Sequence, residues 1–348
     1  MKRGEWEVGI SCGLQCINCP YPIHLDTYSG CSHACRYCFA NEKLTIANIK
    51  PLNNAKALER FIHGHRTLET KWCDWNIPLH WGANSDPFQA CESEYKRTLE
   101  CLKIFAESKY PFIISTKNPV LATTEPYLSL LKECECVFQI SMACGRYDKL
   151  ETGAPTFEER LKAAKVLSKN VTRVIARVQP YFIDCKKDII KELPRYKEAG
   201  IYGIIVEGYK SKKKQKGMIK DGSRYRFPLE VLISHCKQIR DKAHENGLKF
   251  WSADDGADCL SDDMECCGTG GLDKFIPNKY TMSYIAYMPE IAKPTKAMQE
   301  KGTTRPFRSI RQSQAWELHI KGKSFVDMMQ ELDNGYVEWL RDTKERYG

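Results

Sequence analysis

Short apolar runs alternate with longer amphipathic segments along most of the chain. The runs are PIHLDTY (22–28), PLHWGA (78–83), PFIIST (111–116), CVFQISM (136–142), VTRVIARV (171–178) and IYGIIVE (201–207). Their length, β-branched content and flanking turn residues predict strands. Between them lie NAKALERFIHGH, ESEYKRTLECLKIFAES, TEPYLSLLKE, TFEERLKAAKVLSK and KKDIIKELPRYKEAG. Apolar residues recur in these at helical spacing, as with Leu161, Ala164, Val166 and Leu167. Strand–helix repeats of this kind predict a parallel sheet with right-handed crossovers that curls into an open or partial barrel. A longer helix over PLEVLISHCKQIRDKAHENG and a strand at LKFWSAD extend the pattern.

Beyond about residue 256 the periodicity weakens into Gly, Pro, Asp and Cys clusters, and SFVDMMQELDNGYVEWLRDTKERYG is predicted to close the chain as a helix. No clean linker interrupts the pattern. The expected organisation is an N-terminal extension (1–20), an α/β barrel (21–255) and a C-terminal extension (256–348).

The 348 residues can bury a substantial core, and 42% hydrophobic with 28% charged residues is a globular composition. No window approaches the apolar run a membrane span needs. The start MKRGEWEVGISCG has no apolar stretch after its basic residues, so no secretory signal is expected. With 17 cysteines and no signal, the expected compartment is a reducing cytosol, and a disulfide framework is disfavoured.

The net charge of +9 is concentrated in two places. Ile205 to Arg226 carries eight basic residues against Glu207 and Asp221, and Lys301 to Lys323 carries six against Glu317. Aromatic residues (Tyr209, Tyr225, Phe227, Phe307, Trp316) sit among them, as a nucleic-acid surface requires. The alternative for KSKKKQKGMIKDGS is a solvated mobile insertion.

The candidate chemistry lies in two cysteine triplets of identical C-x3-C-x2-C spacing, Cys12, Cys16, Cys19 and Cys31, Cys35, Cys38. Three thiolates so arranged suit three irons of a 4Fe–4S cube and leave the fourth iron open. Structural zinc prefers paired C-x2-C knuckles or a knuckle with a histidine pair, which this spacing does not provide. The second triplet follows a predicted strand, so it belongs at the C-terminal ends of the strands, where parallel barrels gather their sites. The loops GANSDP, STKNP, SMACGR and EGYK fall on the same face.

GCSHACRYCFA, with Tyr37 before its third cysteine, resembles the cluster motif of the radical SAM superfamily. WGANSDPFQACE (81–92) is similar to the G-x-N-x-D-P-F/Y-Q-x-x-E segment of spore photoproduct lyase-like members. ISTKNP, ISMACGRYDKLETGAPTFEERL and RVQPY resemble later segments of that group in the same order, over roughly residues 21–208. The resemblance implies a partial (β/α)6 radical SAM barrel. It implies a 4Fe–4S cluster on Cys31, Cys35 and Cys38 whose open iron chelates S-adenosylmethionine. Reductive cleavage then gives a 5′-deoxyadenosyl radical that abstracts hydrogen, with a reductant such as flavodoxin or ferredoxin supplying the electron.

By position, Tyr37, Asn84, Ser85, Asp86, Lys117, Ser141, Arg177 and Glu207 are the expected cofactor-binding residues. Arg177 suits a carboxylate, because a guanidinium forks onto one. Asp86-Pro87 also reads as a helix start, and Glu207 as a lip ion pair. The lyase places a hydrogen-donating cysteine before the Ser141 position, where this chain has Ile140. Cys144 is then the candidate donor, or a small buried thiol. The first triplet is extra to the lyase pattern and suggests a second 4Fe–4S cluster. Its fourth ligand would come from Cys266 or Cys267 in ADCLSDDMECCGTGG, with Cys259 behind them.

The function expected is radical modification or rearrangement of a nucleobase or nucleoside in DNA or RNA. A peptide, protein or metabolite substrate is the alternative, and a zinc-stapled nucleic-acid-binding protein is the non-enzymatic one. The reaction type (lyase, isomerase or transferase) stays open.

Overall fold

The computed structural model describes residues 11–12, 19–38, 49–66, 70, 73, 75–254, 256–292 and 335–348. Its strands are β1 (Ser11–Cys12), β2 (Ile23–Leu25), β3 (Leu79–Trp81), β4 (Phe112–Thr116), β5 (Cys136–Ser141), β6 (Arg173–Tyr181), β7 (Gly203–Gly208), β8 (Ile219–Asp221), β9 (Arg224–Arg226) and β10 (Lys249–Ser252). Its helices are α1 (Ala55–Ile62), α2 (Glu92–Tyr95), α3 (Arg97–Ser108), α4 (Pro119–Ala122), α5 (Tyr127–Lys132), α6 (Phe157–Leu167), α7 (Lys186–Glu198), α8 (Leu229–Glu245), α9 (Met282–Tyr287) and α10 (Tyr336–Tyr347).

Eight strands form one sheet in the order β1-β2-β3-β4-β5-β6-β7-β10. From β2 to β10 every neighbour is parallel, and only β1 runs antiparallel, against β2. Among the described residues no pairing joins β10 back to the first strands, so the barrel stays open. The predicted strands are all present.

Alternation along each strand sorts its side chains into two faces. Trp81 and Phe112 face α3, where Phe105 packs against them with ring centroids 5.5 and 4.1 Å apart. The odd-out positions between them, His80 and Ser115, therefore face the barrel interior and touch each other. Burial of such aromatics stabilises by about 1.5–3 kcal/mol each.

The segment predicted as one helix, ESEYKRTLECLKIFAES, is two. Lys96 adopts a left-handed backbone (φ 53°) between α2 and α3. The reason is Glu92, whose buried carboxylate accepts the Thr98 and Leu99 amides at 2.9 Å each. It thereby satisfies donors that the first turn of α3 leaves open. The lysine-rich stretch after β7 is not a bare loop: β8 and β9 pair as an antiparallel hairpin. The second basic stretch, 301–323, and the first part of the predicted terminal helix lie outside the described residues.

The segment after β10 packs beneath the sheet. The Cys267 carbonyl accepts from Gln139 Nε2 at 3.1 Å, and Arg173 Nη1 donates to the Gly268 and Gly270 carbonyls at 2.7 and 3.0 Å. Gly268 has φ +74°, and a Cβ there would come within 2.6 Å of Ile175 Cδ1, so a glycine is required. The same segment holds the chain's start. Asn278 N donates to the Pro20 carbonyl at 2.8 Å, and the Tyr21 and Thr269 hydroxyls are 2.7 Å apart. No helix among the described residues is long and apolar enough to cross a membrane.

Candidate functional site

The two triplets lie at opposite ends of β2. Cys12 is the register partner of Ile23, at the strand's N-terminal end, and Cys19 stands just before it. Cys31, Cys35 and Cys38 follow the other end. The side chains of Cys12 and Cys16 lie outside the described residues.

A set of polar side chains clamps the loop that carries the second triplet. His33 is 2% exposed; its Nε2 lies 3.0 Å from Asp86 Oδ2 and its Nδ1 2.8 Å from the Gly153 carbonyl. Gln89 holds the loop by both ends of its amide, accepting from Ser32 N at 2.9 Å and donating to the Gly30 carbonyl at 2.8 Å. Arg36 N donates to the Leu150 carbonyl at 2.9 Å. A Cβ on Gly153 would sit 2.7 Å from Ser32 O and 2.8 Å from His33 Cα, so the loop after β5 fits here only as glycine.

Asp86 is the centre of this clamp. Its Oδ1 accepts from Phe88 N (2.9 Å) and the Thr116 hydroxyl (2.7 Å), and its Oδ2 from Lys117 N (2.6 Å). Burial alone would raise its pKa, but His33 and these donors outweigh it and hold the carboxyl below the usual carboxylate range. Asn84 and Ser85 turn to Asp26 instead. Its carboxylate accepts the Asn84 amide (3.1 Å), Asn84 Nδ2 (3.1 Å), the Ser85 amide (2.9 Å) and the Ser85 hydroxyl (2.9 Å). Asn84, Ser85 and Asp86, the residues expected to meet a ligand's ammonium, thus also tie the turn after β3 to Asp26, His33 and Lys117.

Beside Cys35 lies a second buried group. Arg160 Nη1 is 2.5 Å from Glu151 Oε2, with both side chains under 4% exposed, and it also donates to the Ser141 carbonyl at 2.7 Å. Tyr37 donates its hydroxyl to Glu151. Lys117 Nζ stands 3.8 Å from Glu151 Oε1 and 5.7 Å from the centre of the Tyr37 ring. Burial lowers the Lys117 pKa while Cys35 opposes the shift. Burial likewise pushes the Cys31 and Cys35 thiols up to about 12.

Within the barrel the inward positions of successive strands form a polar chain. The His24 and His80 rings meet edge to face at 5.9 Å, and His80 Nε2 lies 3.0 Å from Ser115 Oγ. Gln139 Oε1 accepts from Ser115 Oγ and from Arg177 Nη1, at 2.9 Å each. Arg177 Nη2 is 3.7 Å from Glu207 Oε2, which also accepts from Gln179 Nε2 at 2.5 Å. Burial, then the Arg177 charge, lowers His24 to about 4; the same causes take His80 well below its ordinary value. Both rings are therefore neutral at pH 7. Burial raises Glu207 against the pull of Arg177. Arg177 Nε is buried without a hydrogen-bond partner.

Ser141 ends β5 and Lys117 follows β4, while Arg177 and Glu207 meet each other in the lumen. Cys144 is not among the lumen contacts: its thiol meets those of Cys185 and the Asp188 carboxylate beyond β5. Cys266 and Cys267 lie in the segment after β10 that meets the lumen residues: the Cys267 carbonyl accepts from Gln139, and the Cys266 thiol feels the Arg177 and Glu207 charges. His24, Asp26, His33, His80, Gln89, Gln139, Glu151 and Arg160 were not singled out from the sequence. The signal available for His24 and Asp26 was their period-two placement inside an apolar strand, which marks one shared face.

No family model matches the chain. An uncharacterized protein of Mycobacterium tuberculosis strain H37Rv is 26% identical over 202 residues, and so is one of Mycobacterium bovis. The match spans 54% of this chain and 59% of the length of those relatives. Among solved structures, Streptococcus suis SuiB bound to S-adenosylmethionine is similar at 16% identity and TM-score 0.49, covering 69% of this chain and 52% of that one. Native anSMEcpe with bound AdoMet is similar at 13% identity and TM-score 0.42, over 64% and 61% of the two chains. The cobalamin-dependent S-adenosylmethionine radical enzyme OxsB is similar at 16% identity and TM-score 0.34, over 49% of this chain and 26% of that one.

Proposed function

We propose that this protein is a radical SAM enzyme that holds a 4Fe–4S cluster on Cys31, Cys35 and Cys38 and binds S-adenosylmethionine over the lumen. The observation that carries the reading is a clamped three-cysteine loop that follows the C-terminal end of β2, beside Lys117. The donor set fits the group. The C-x3-C-x2-C spacing offers three thiolates on one short loop, which suits three irons of one cube. The unpartnered Arg177 Nε suits a ligand carboxylate.

When bound, the two groups supply one-electron cleavage of a sulfonium and hydrogen-atom abstraction. The chain's own residues do the rest. His33, Asp86 and Gln89 fix the loop, Lys117 and Arg177 offer positive charge to the carboxylate, and Glu207 offers an acceptor to ribose hydroxyls. The neutral His24 and His80 line the lumen without adding charge. The first triplet, with Cys266 or Cys267, forms a second cluster on the opposite rim. The contacts of Pro20 and Tyr21 with Asn278 and Thr269, which bring both segments together, support that reading.

The substrate reading rests on the β8–β9 hairpin. Lys212, Lys213, Lys214 and Lys216 are exposed along the segment leading into it, and Gln215 and Lys216 line a cavity at the C-terminal rim. A nucleic-acid phosphate backbone is the ligand such a row favours.

Anaerobic purification followed by iron and sulfide analysis, and by assay of reductant-dependent 5′-deoxyadenosine formation, tests the enzyme reading. Cys35→Ala is expected to abolish the product. Zinc without iron, or product formation that survives Cys35→Ala, would overturn the assignment.

A further inference from the structure

Among the described residues, one other group brings three ligand atoms together. The thiols of Cys144 and Cys185 and the carboxylate of Asp188 lie within 4.8 Å of one another. We propose that these three side chains bind a zinc ion, at a site separate from both cysteine triplets.

The fold builds the group from two neighbouring crossovers. Cys144 is in the loop after β5, three residues beyond Ser141. Cys185 immediately precedes α7, and Asp188 lies in that helix's first turn, three residues on. That spacing puts Cys185 and Asp188 on one helix face, turned to the loop that carries Cys144. The helix N-terminus also favours the anionic forms that metal binding needs.

The donor chemistry selects the ion. Zinc binds sulfur at about 2.3 Å and carboxylate oxygen at about 2.0–2.2 Å, so ligands of one ion fall within the span seen here. Two sulfurs disfavour magnesium and calcium, which take oxygen. The thiols are 3% and 4% exposed, buried as ligands of a formed site are. Two thiolates and a carboxylate around a divalent ion leave one negative charge, and Arg146, shared with Asp184, lies against it. Its Nη1 donates to Asp188 Oδ2 at 3.0 Å and its Nη2 is 2.7 Å from Asp184 Oδ2. That contact orients the carboxylate, as outer partners of metal ligands do.

Three protein ligands leave a fourth position. Cys185 lines a cavity of about 440 Å³ together with Arg146, Tyr147, Phe182, Asp184 and Lys216. The fourth position therefore opens onto a space that admits water or a small anionic ligand, the arrangement of an exchangeable zinc site. The proposal does not depend on the radical reading, since it uses none of the same residues.

Elemental analysis of the full-length protein, loaded with zinc and desalted, tests it. About one zinc per chain is expected at this site. Cys185→Ser and Asp188→Asn are each expected to lose it with iron content unchanged, while Cys236→Ser, a buried thiol elsewhere, keeps it. Arg146→Ala is expected to weaken zinc affinity about 10–100-fold with the stoichiometry retained. Unchanged iron and far-ultraviolet circular dichroism show that the variants fold. Zinc that is absent from the wild type, or undiminished in both ligand variants, overturns the proposal. So does a Cys144–Cys185 disulfide found by mass spectrometry in protein purified under reductant.

Discussion

His33 Nε2 lies 3.0 Å from Asp86 Oδ2, joining the cysteine loop to the end of β3's following turn. Both side chains are almost fully buried. The Asp86 carboxylate also accepts from Phe88 N, the Thr116 hydroxyl and Lys117 N, and removing it strands these buried donors at a cost of about 1–3 kcal/mol each. Asp86→Ala is therefore expected to shift urea unfolding by that order and to release iron. Asp86→Asn tests the charge. The Asp86 carboxyl titrates below its ordinary value in the fold, so its contribution is present above the unfolded value of about 3.9 and is lost as pH falls through the lower folded one. The asparagine variant should show a shallower acid limb below about pH 4 than the wild type in chemical unfolding. Equal acid limbs would remove the Asp86 carboxylate from the account.

His24 sets a second window. Its folded pKa of about 4 lies below the ordinary 6.5, so the unfolded chain takes up a proton that the folded chain refuses. Stability from this residue is complete above pH 6.5 and falls away as pH drops towards 4, by at most about 3 kcal/mol. His80 adds to the slope in the same direction. His24→Gln should flatten stability between pH 6.5 and 4, measured by denaturant midpoints. A slope unchanged from wild type would mean that the lumen is open enough to water for the ring to protonate freely.

The barrel was legible because its strands are runs of apolar residues separated by amphipathic helices, and each run carries its own length and flanks. The cysteine loop and its strand were legible for the same reason. What holds that loop was not. His33, Gln89, Glu151 and Arg160 come from four places in the chain, and nothing in their local pattern announces that burial will force them to pair. Asn84, Ser85 and Asp86 look like ligand-binding groups in sequence, yet after folding Asn84 and Ser85 bind Asp26, and Asp86 meets Lys117 N, Thr116 and His33. The break at Lys96 was hidden too, since the amphipathic period runs through it. Only the buried Glu92 carboxylate, turning to cap α3, explains it.

Arg177 is held on one side by Gln139 and has Nε buried without a partner. Lysine keeps the charge but cannot present a fork, so Arg177→Lys is expected to weaken S-adenosylmethionine binding about tenfold or more, from a charged hydrogen bond of about 1.5–3 kcal/mol. Titration calorimetry on the cluster-loaded protein measures it. An unchanged affinity would place the carboxylate elsewhere.

The row from Lys212 to Lys216 gives a salt-dependent outcome. If these residues meet phosphates, each contact removed lowers the slope of log K against log salt by about 0.7 on single strands and 0.9 on duplex DNA. Replacing Lys212, Lys213 and Lys214 with alanine should reduce that slope by about two to three. Binding that is absent, or equally salt-dependent in the variant, would turn attention to a peptide or metabolite substrate.

The opposite placement of the two triplets makes them separable by experiment. Cys12 pairs with Ile23 at one end of β2 while Cys31 follows the other end, so no single cluster can take thiolates from both without unravelling the strand. Cys16→Ala should therefore remove about half of the iron and leave S-adenosylmethionine cleavage measurable, because the rim that carries Cys31, Cys35 and Cys38 is untouched. Cys35→Ala should remove the other half and all cleavage. The contacts of the first triplet's flank with the segment after β10 add a third arm. Replacing both Cys266 and Cys267 with serine should reproduce the Cys16 result, since the fourth thiolate would then be missing from the same cluster. If the double variant keeps full iron, the first triplet takes its fourth ligand elsewhere or leaves an iron open. If Cys16→Ala abolishes cleavage along with the iron, the roles assigned to the two rims are reversed.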